Sequence, residues 1–162
     1  MVKLGIYLIG NVISLFVAGA GTVSSFLHWH ILNFAQSVDT VQYRIQEEID
    51  MIVGQDRQPT WEDSHQMPYT VAAIWEMYRC KPTINLPRAV GEDTFFGEYF
   101  VPKGTIVMRN FWALHMSSTL WGNPEEFDPT RFLSRDGSSL LEKPDYLIPF
   151  SVGRFLIGDS MV

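Results

Sequence analysis

The chain has 162 residues, which is the length of about one ordinary domain. Hydrophobic residues make up 46% of it and aromatic residues 14%, so the composition supports a core and excludes a disordered chain. A formal net charge of -6, without a cluster of lysine or arginine, argues against a nucleic-acid partner. The single cysteine, Cys80, excludes an internal disulfide and a cysteine-rich zinc site.

The first segment carries no charge, because residues 4–38 contain no Lys, Arg, Asp or Glu. It is long enough to cross a bilayer, which takes about 20 apolar residues in a helix. Polar side chains such as Asn11 and Ser24, and two glycines in Gly19-Ala20-Gly21, fit equally well a helix that is buried inside a larger protein. The pattern predicts one long helix and leaves its surroundings open.

Three shorter helices follow. Apolar residues recur at helical spacing over 37–53, which predicts an amphipathic helix that ends at Gly54. The run Thr60-Trp61-Glu62-Asp63 is typical of a capping box that opens a short helix. Pro68 suits a first helical turn and Pro82 cannot lie inside a helix, so a third helix spans about 69–80.

This third helix carries Glu76 and Arg79, which share one face at a spacing of three and have apolar neighbours. A buried pair of this kind needs a further polar group to satisfy its remaining donors. The alternative is an ordinary ion pair on a solvated helix face, since Glu and Arg three residues apart are common there.

The second half of the chain is rich in loops. Residues 94–101, the turn Pro102-Lys103-Gly104 and residues 105–108 predict a β-hairpin. A helix of one or two turns is expected over 110–116, and a polar loop over 134–143. Near the end, glycines at 153 and 158 predict a tight loop that a flat or bulky group can approach closely.

Several of these motifs, in this order, resemble those of the cytochrome P-450 monooxygenases. Ala18-Gly19-Ala20-Gly21-Thr22 resembles the middle of the family's long central helix, and Glu76-x-x-Arg79 resembles its Glu-x-x-Arg helix. Phe127-Asp128-Pro129-Thr130-Arg131-Phe132 resembles its meander motif, and Phe150-x-x-Gly153 its haem loop. The resemblance covers nearly the whole chain and implies haem as the cofactor.

The resemblance places Thr22 at the family's oxygen-activating threonine. A threonine hydroxyl can bond the carbonyl four residues back, here that of Ala18, and can act on a ligand beside the opened turn. Gly21 stands where the family has an acidic residue, and losing that carboxylate should slow proton delivery. An ordinary helix threonine, satisfied by its own backbone, is the alternative reading of Thr22.

The resemblance also implies that Arg131 closes a triad with Glu76 and Arg79, as structural support under the haem. Arg88 corresponds to the family's propionate-binding basic residue, with a plain surface arginine as the alternative.

In the last loop, Phe150, Gly153 and Arg154 fit the haem-binding pattern, but the loop is one residue short and the axial cysteine is missing. No metal ligand is therefore predicted.

The resulting fold expectation is a mostly α-helical chain with a small β-hairpin region, corresponding to the C-terminal part of the cytochrome P-450 fold. We expect one partial domain over 1–162, divided into a central helix, further helices, a hairpin region, a meander and a haem loop (1–36, 37–80, 86–109, 110–148 and 149–162).

The implied reaction inserts one oxygen atom from O2 into a small lipophilic substrate, with electrons from an NADPH-dependent reductase. Without the axial cysteine, and as a truncated portion of the family's chain, we expect it to be inactive alone. The full-length protein is expected in the endoplasmic reticulum membrane, and a mitochondrial location stays open. The alternative function is a non-catalytic membrane or interaction protein with residues 4–35 as a single span.

Overall fold

The computed structural model describes residues 2–81 and 87–149, over which the chain is mostly helical with two small strand pairs. This confirms the predicted secondary-structure class. The predictions at Phe150, Gly153 and Arg154 lie outside the described residues. The elements are α1 Val2–Gln36, a π-helical turn Val38–Gln42, α2 Tyr43–Ile52, a 3-10 helix Trp61–Gln66, α3 Pro68–Cys80, β1 Arg88–Ala89, β2 Thr94–Phe96, β3 Tyr99–Val101, β4 Ile106–Val107, α4 Phe111–His115 and a 3-10 helix Pro129–Phe132.

The helix α1 runs unbroken for 35 residues, and its C-terminal end is packed against α3. Phe26 stacks on Tyr78 with ring centroids 4.6 Å apart, and the Asn33 amide nitrogen lies 3.8 Å from the Met77 sulfur. His30 is buried between these contacts. Most of the large apolar side chains nearer the N-terminus of α1 are exposed. The predicted long helix is therefore present, and its last three turns make the contacts with α3.

The segment between α1 and α3 follows the predicted pattern with one difference. The amphipathic helix begins as a π-helical turn at Val38–Gln42 before continuing as α2, and Gly54 ends it with φ +70°. The Asp63 carboxylate accepts from the Thr60 amide at 2.7 Å, as a capping box requires.

The core lies between α2, α3 and the segment after α4. It consists of side chains that the helical period of α2 and α3 places on facing sides, together with aromatic residues from the later loops. Its buried members are Val41, Ile45, Tyr69, Ala72, Ala73, Trp75, Trp121, Phe132, Leu133 and Leu147.

A carboxylate from α2 caps the N-terminus of α3. Glu48 accepts from the amides of Tyr69 and Thr70 at 2.8 and 2.7 Å, and from the Thr70 hydroxyl at 2.7 Å. The first amides of a helix have no partner inside the helix and carry its positive dipole end, so an anion there is stabilising. Glu48 thereby fixes α3, which carries Glu76 and Arg79, against α2.

The strands pair differently from the predicted hairpin. The hairpin is β2–β3, closed at Gly97-Glu98, where Gly97 has φ +60°. The segment after Pro102 instead returns to β1, so that Arg88 pairs with Val107 and Ala89 with Ile106. The prediction placed the turn at residues 102–104, but the glycine at 97 permits a tighter two-residue turn earlier in the chain.

Replacing Glu48 tests the α3 cap. We expect Glu48→Ala to lower the free energy of unfolding by about 1–2 kcal/mol, because three donors at the α3 N-terminus lose their acceptor. Urea denaturation followed by circular dichroism measures this loss. Glu48→Gln keeps one acceptor oxygen and should lose less, whereas an equal loss in the two variants would contradict the cap.

Candidate functional site

The polar centre of the structure is the side chain of Glu76, which is fully buried on α3. Arg79 donates two hydrogen bonds to its carboxylate, from Nε to Oε2 and from Nη2 to Oε1, each 2.7 Å long. Arg131 reaches the same carboxylate from the 3-10 helix Pro129–Phe132, with Nε 3.1 Å from Oε1, and the Asp128 amide donates to Oε1 at 3.0 Å. The structure thus brings together the three residues of the predicted triad.

Backbone carbonyls take up the remaining donors of both arginines. Arg79 Nη1 donates to the carbonyls of His115 and Pro124 at 2.8 and 2.7 Å. Arg131 Nη1 donates to the Gly122 carbonyl at 2.8 Å, and both guanidinium groups reach the Glu126 carbonyl. A buried ion pair is tolerated only when such donors are satisfied, so this carbonyl cage is what permits the cluster to be buried.

The charges in the cluster support one another. Burial on its own would lower the pKa of Arg79, but the bound Glu76 carboxylate outweighs it and raises that pKa. Two guanidinium groups share one buried carboxylate, and the cage carbonyls supply the rest of the negative potential. The arrangement holds charge and geometry in place, with no free group for acid–base chemistry at Glu76 or Arg79.

Cys80, which follows Arg79, is drawn into the same cluster. Arg79 Nη2 lies 2.9 Å from the Cys80 sulfur, and the thiol lies 3.6 Å from Glu76 Oε1. Burial, and then the neighbouring Glu76 carboxylate, raises the pKa of Cys80 to about 12. The thiol is therefore neutral at physiological pH, which is the opposite of what a thiolate ligand needs.

Thr22 lies on the side of α1 that faces the end of α3. Its hydroxyl donates to the Ala18 carbonyl at 2.6 Å, the bond that the sequence predicted for a threonine at this place. An open groove of about 680 Å³ lies beside it, which we call the Thr22 groove. Its lining comes from α1, the end of α3 and α4, and consists of Val17, Gly21, Thr22, Ser25, Trp29, Cys80, Lys81 and Trp112.

Cys80 connects the two parts of the site, because it contacts the cluster and also lines the Thr22 groove. The groove therefore borders the buried cluster. Arg88, the remaining predicted site residue within the described part of the chain, is exposed on β1 and pairs with Val107. Its proposed contact with a propionate stays a prediction.

Sequence reasoning missed several members of the site. The carbonyl cage has no sequence signal, because any residue supplies a carbonyl. Lys81 and Trp29 were also missed, although the ammonium of Lys81 lies 4.6 Å from the centroid of the Trp29 ring. His115 was missed as well, and its imidazole is fully buried with neither ring nitrogen hydrogen-bonded.

The chain is similar to known proteins over nearly its full length. The family model described as Cytochrome P450 matches residues 7–155. Cytochrome P450 2U1 of Homo sapiens is 38% identical over 158 residues, which are 96% of this chain and 28% of that protein. Cytochrome P450 2J3 of Rattus norvegicus is 39% identical over 157 residues, 95% of this chain and 30% of the relative. Steroid 17-alpha-hydroxylase/17,20 lyase of Ictalurus punctatus is 38% identical over 158 residues, 96% and 30% respectively. The chain spans less than a third of the length of these relatives.

Removing the shared carboxylate tests the cluster. We expect Glu76→Ala to cost about 3–5 kcal/mol of unfolding free energy, because two guanidinium groups lose their counter-ion inside the protein. This is a large part of an ordinary domain's stability, so the variant should unfold at much lower urea. The exposed Glu98 gives a matched control: Glu98→Ala should be nearly neutral. Equal midpoints for the two variants would show that the cluster contributes little.

The pH dependence of stability tests the burial of His115. Burial, and then the Arg79 charge, lowers the pKa of His115 below its ordinary value of 6.5. The unfolded chain therefore binds the proton more readily, so His115 favours the folded state above 6.5 and this contribution is lost as pH falls below 6.5. It stops changing once pH passes the lowered folded-state pKa.

Urea denaturation at a series of pH values measures this effect. We expect His115→Phe to flatten the decline of the unfolding free energy below pH 6.5, the ordinary value from which the His115 pKa is lowered. His65→Phe, at an exposed position, should leave the decline as it is in the unaltered chain. An unchanged slope in the His115 variant would mean that other groups cause the decline.

Proposed function

This chain belongs to the cytochrome P450 family, and we propose that it forms part of a haem-dependent monooxygenase. Such an enzyme inserts one oxygen atom from O2 into a small lipophilic substrate. In this proposal α1 is the helix on the side of the haem where O2 binds, and the other segments form its supporting framework. The observation that carries the proposal is the buried Glu76–Arg79–Arg131 cluster bordering the Thr22 groove. The chain alone is proposed to be inactive.

Family membership bears out the predicted fold class, the C-terminal part of the cytochrome P450 fold, and haem as the family's cofactor. The family's chemistry is monooxygenation, in which haem supplies the oxidising centre. Since the chain spans less than a third of its relatives' length, the activity, substrate and partners of a whole protein are part of the proposal.

The donor set of this chain does not fit haem in the family's manner. That manner requires a cysteine thiolate on the iron, and Cys80 is the single cysteine in the sequence. Its thiol is kept neutral and is hydrogen-bonded to Arg79 and Glu76, so using it as a ligand would disrupt the cluster. No group of three or more His, Cys, Asp or Glu side chains in the described ranges is arranged to hold a metal. We therefore propose no reaction step at the iron for this chain.

We propose that the Thr22 hydroxyl accepts and donates hydrogen bonds in the groove. Its hydroxyl donates to Ala18, so the oxygen lone pairs are available to accept from a water or a ligand. Rotation of the hydroxyl would let it donate in turn, which is what a proton relay needs. Gly21 brings no carboxylate to this turn, so protons would come through water.

The partners and the location follow from the family. We propose an NADPH-dependent reductase as electron donor and an endoplasmic reticulum membrane location for the full-length protein. Arg88 is proposed to contact a haem propionate there, and Phe150, Gly153 and Arg154 to lie against the haem. The cluster of Glu76, Arg79 and Arg131 would support that loop structurally.

A single-span membrane protein remains a second candidate, because one observation favours it. Residues Tyr7–Gln36 form a helix long and apolar enough to cross a membrane, and most of its large apolar side chains are exposed. Against it, the helix packs Phe26 and Asn33 onto α3, and His30 is buried there, so its last turns belong to the domain. This packing makes the monooxygenase portion the better supported function.

Spectroscopy of the purified chain with added haemin tests the proposal. We expect the ferrous carbon monoxide complex to lack the band of a thiolate-bound haem, because the Cys80 thiol is neutral and engaged in the cluster. Cys80→Ser should leave the spectrum unchanged. A thiolate-type band in the unaltered chain that disappears in Cys80→Ser would overturn the proposed inactivity.

Added thiol distinguishes a haem-site portion from a membrane span. We expect haemin and a small thiol to give a stronger thiolate-type band in the presence of the unaltered chain than they give alone. Glu76→Ala should lose this increase in the band. Carbonate-resistant membrane association without any gain from the chain would favour the single-span alternative.

A further inference from the structure

Three segments of the chain place an arginine three residues before a serine or threonine. They are Arg57 with Thr60, Arg131 with Ser134, and Arg135 with Ser138. Arginine-directed protein kinases use this spacing, because carboxylates of the kinase pair with the arginine while the hydroxyl reaches the nucleoside triphosphate. The spacing is also frequent by chance. The tertiary contacts therefore decide which of these segments a kinase can use.

In the first two segments the arginine is committed to a buried carboxylate. Both terminal nitrogens of Arg57 donate to Asp63 at 2.7 Å, and the Thr60 amide donates to the same carboxylate at 2.7 Å. Arg131 is bound to the fully buried Glu76 at 3.1 Å. A kinase could take either arginine only by breaking the ion pair of a buried carboxylate, which is costly. These contacts count against both segments as targets in the folded chain.

The third segment differs, because its arginine is in no ion pair within residues 2–81 and 87–149. Arg135 and Ser138 are both exposed. They lie in a loop over 134–139, which the bridge between Leu133 and Leu140 closes at its neck. The side-chain hydrogen bonds of this loop join its own members. Such a loop can open into a kinase cleft without disturbing the core, because exposed loop tips open at little cost in free energy.

The serines of the loop differ in how their hydroxyls are held. The Ser138 Oγ donates to Asp136 Oδ2 at 2.9 Å. The Ser134 hydroxyl lies at the neck, where it donates to Asp136 Oδ1 at 2.6 Å and accepts from the Ser139 amide at 3.1 Å. The Ser139 hydroxyl donates to Ser134 Oγ at 3.1 Å. Ser138 is thus the hydroxyl that the arginine spacing and the loop contacts favour together.

We propose that Ser138 is a phosphorylation site for an arginine-directed serine kinase that recognises Arg135. In this step the Ser138 Oγ forms a bond to the γ-phosphorus of a nucleoside triphosphate, and the bond from that phosphorus to the β–γ bridging oxygen breaks. The nucleoside diphosphate leaves, and the hydroxyl proton passes to a base of the kinase. The inference does not depend on haem or on the proposed monooxygenase function.

The contacts of the loop would change once Ser138 carries a phosphate. Hydrogen bonds from the Ser134 and Ser138 hydroxyls lower the pKa of Asp136 to about 2, so its carboxylate is charged at neutral pH. Phosphorylation removes one of these donors and sets a second anion beside that carboxylate, which repels it. A cation lies close by on α2, since Arg44 Nη2 is 3.7 Å from the position that a Cβ on Gly137 would take. The phosphate would therefore turn the loop from Asp136 toward Arg44.

Kinase reactions on the full chain test the inference, with calcium/calmodulin-dependent protein kinase II as the arginine-directed probe. Peptide mass spectrometry after digestion should locate phosphate on Ser138, and Ser138→Ala should lose it. Arg135→Gln should lower the initial rate about tenfold, the effect of losing one charge-assisted contact. Lys103→Gln, which removes an exposed charge of the same sign, is the matched control and should leave the rate unchanged.

No incorporation at Ser138, in a reaction that phosphorylates a standard peptide substrate, would overturn the inference. Phosphate on Ser134 or Thr60 in place of Ser138 would do the same. Phosphate on Ser139 alone, which has Glu142 three residues after it, would indicate an acid-directed kinase and would also contradict the assignment. An unchanged rate in Arg135→Gln, with circular dichroism like that of the unaltered chain, would overturn the role of Arg135.

Discussion

The structure depends on one buried carboxylate, that of Glu76, shared by two guanidinium groups. Burying these charges is costly, and the cost is offset only because every donor of Arg79 and Arg131 that points into the protein meets an oxygen. Most of those oxygens are backbone carbonyls of the loop after α4, so satisfying the arginines also determines the path of that loop. Asn123, held at φ 47°, lies within it. A polar cluster with no chemistry of its own thereby fixes distant segments relative to α3.

This cluster also determines what the adjacent residues can do. Cys80 follows Arg79 and is committed to the hydrogen bonds of the cluster, which keeps its thiol neutral. Lys81 follows Cys80 and turns away to the Trp29 ring, with its charge unpaired by any carboxylate in the described ranges. Two consecutive residues at one helix end thus have different surroundings: Cys80 is held in the buried cluster, and Lys81 lies over the Trp29 ring.

The two ends of α1 lie in different environments, with the last turns against α3 and most of the earlier apolar side chains exposed. Its last turns pack on α3 through Phe26 and Asn33, and His30 is buried in the same stretch. The apolar side chains before them are mostly exposed in this chain, which spans less than a third of the length of its relatives. An apolar surface of this extent favours association with another apolar surface.

Much of this protein was determined by local sequence. Apolar period, capping residues, glycines and prolines located the helices, because these signals act within a few residues of one another. The family resemblance placed Thr22, Glu76, Arg79 and Arg131 by position, and it also predicted the contact among the last three, while helix geometry predicted the Thr22 bond to the Ala18 carbonyl. The strand pairing was predicted wrongly, since two turn signals competed and the hairpin closes at Gly97, with φ +60°, before the Pro102 turn. The carbonyl cage, the neutral thiol of Cys80 and the place of Lys81 over Trp29 were decided by tertiary structure alone. The cage carbonyls and the Trp29 ring come from parts of the chain far from the side chains they contact, and the Cys80 thiol is neutral chiefly because it is buried. None of these features is encoded in the identity of one residue.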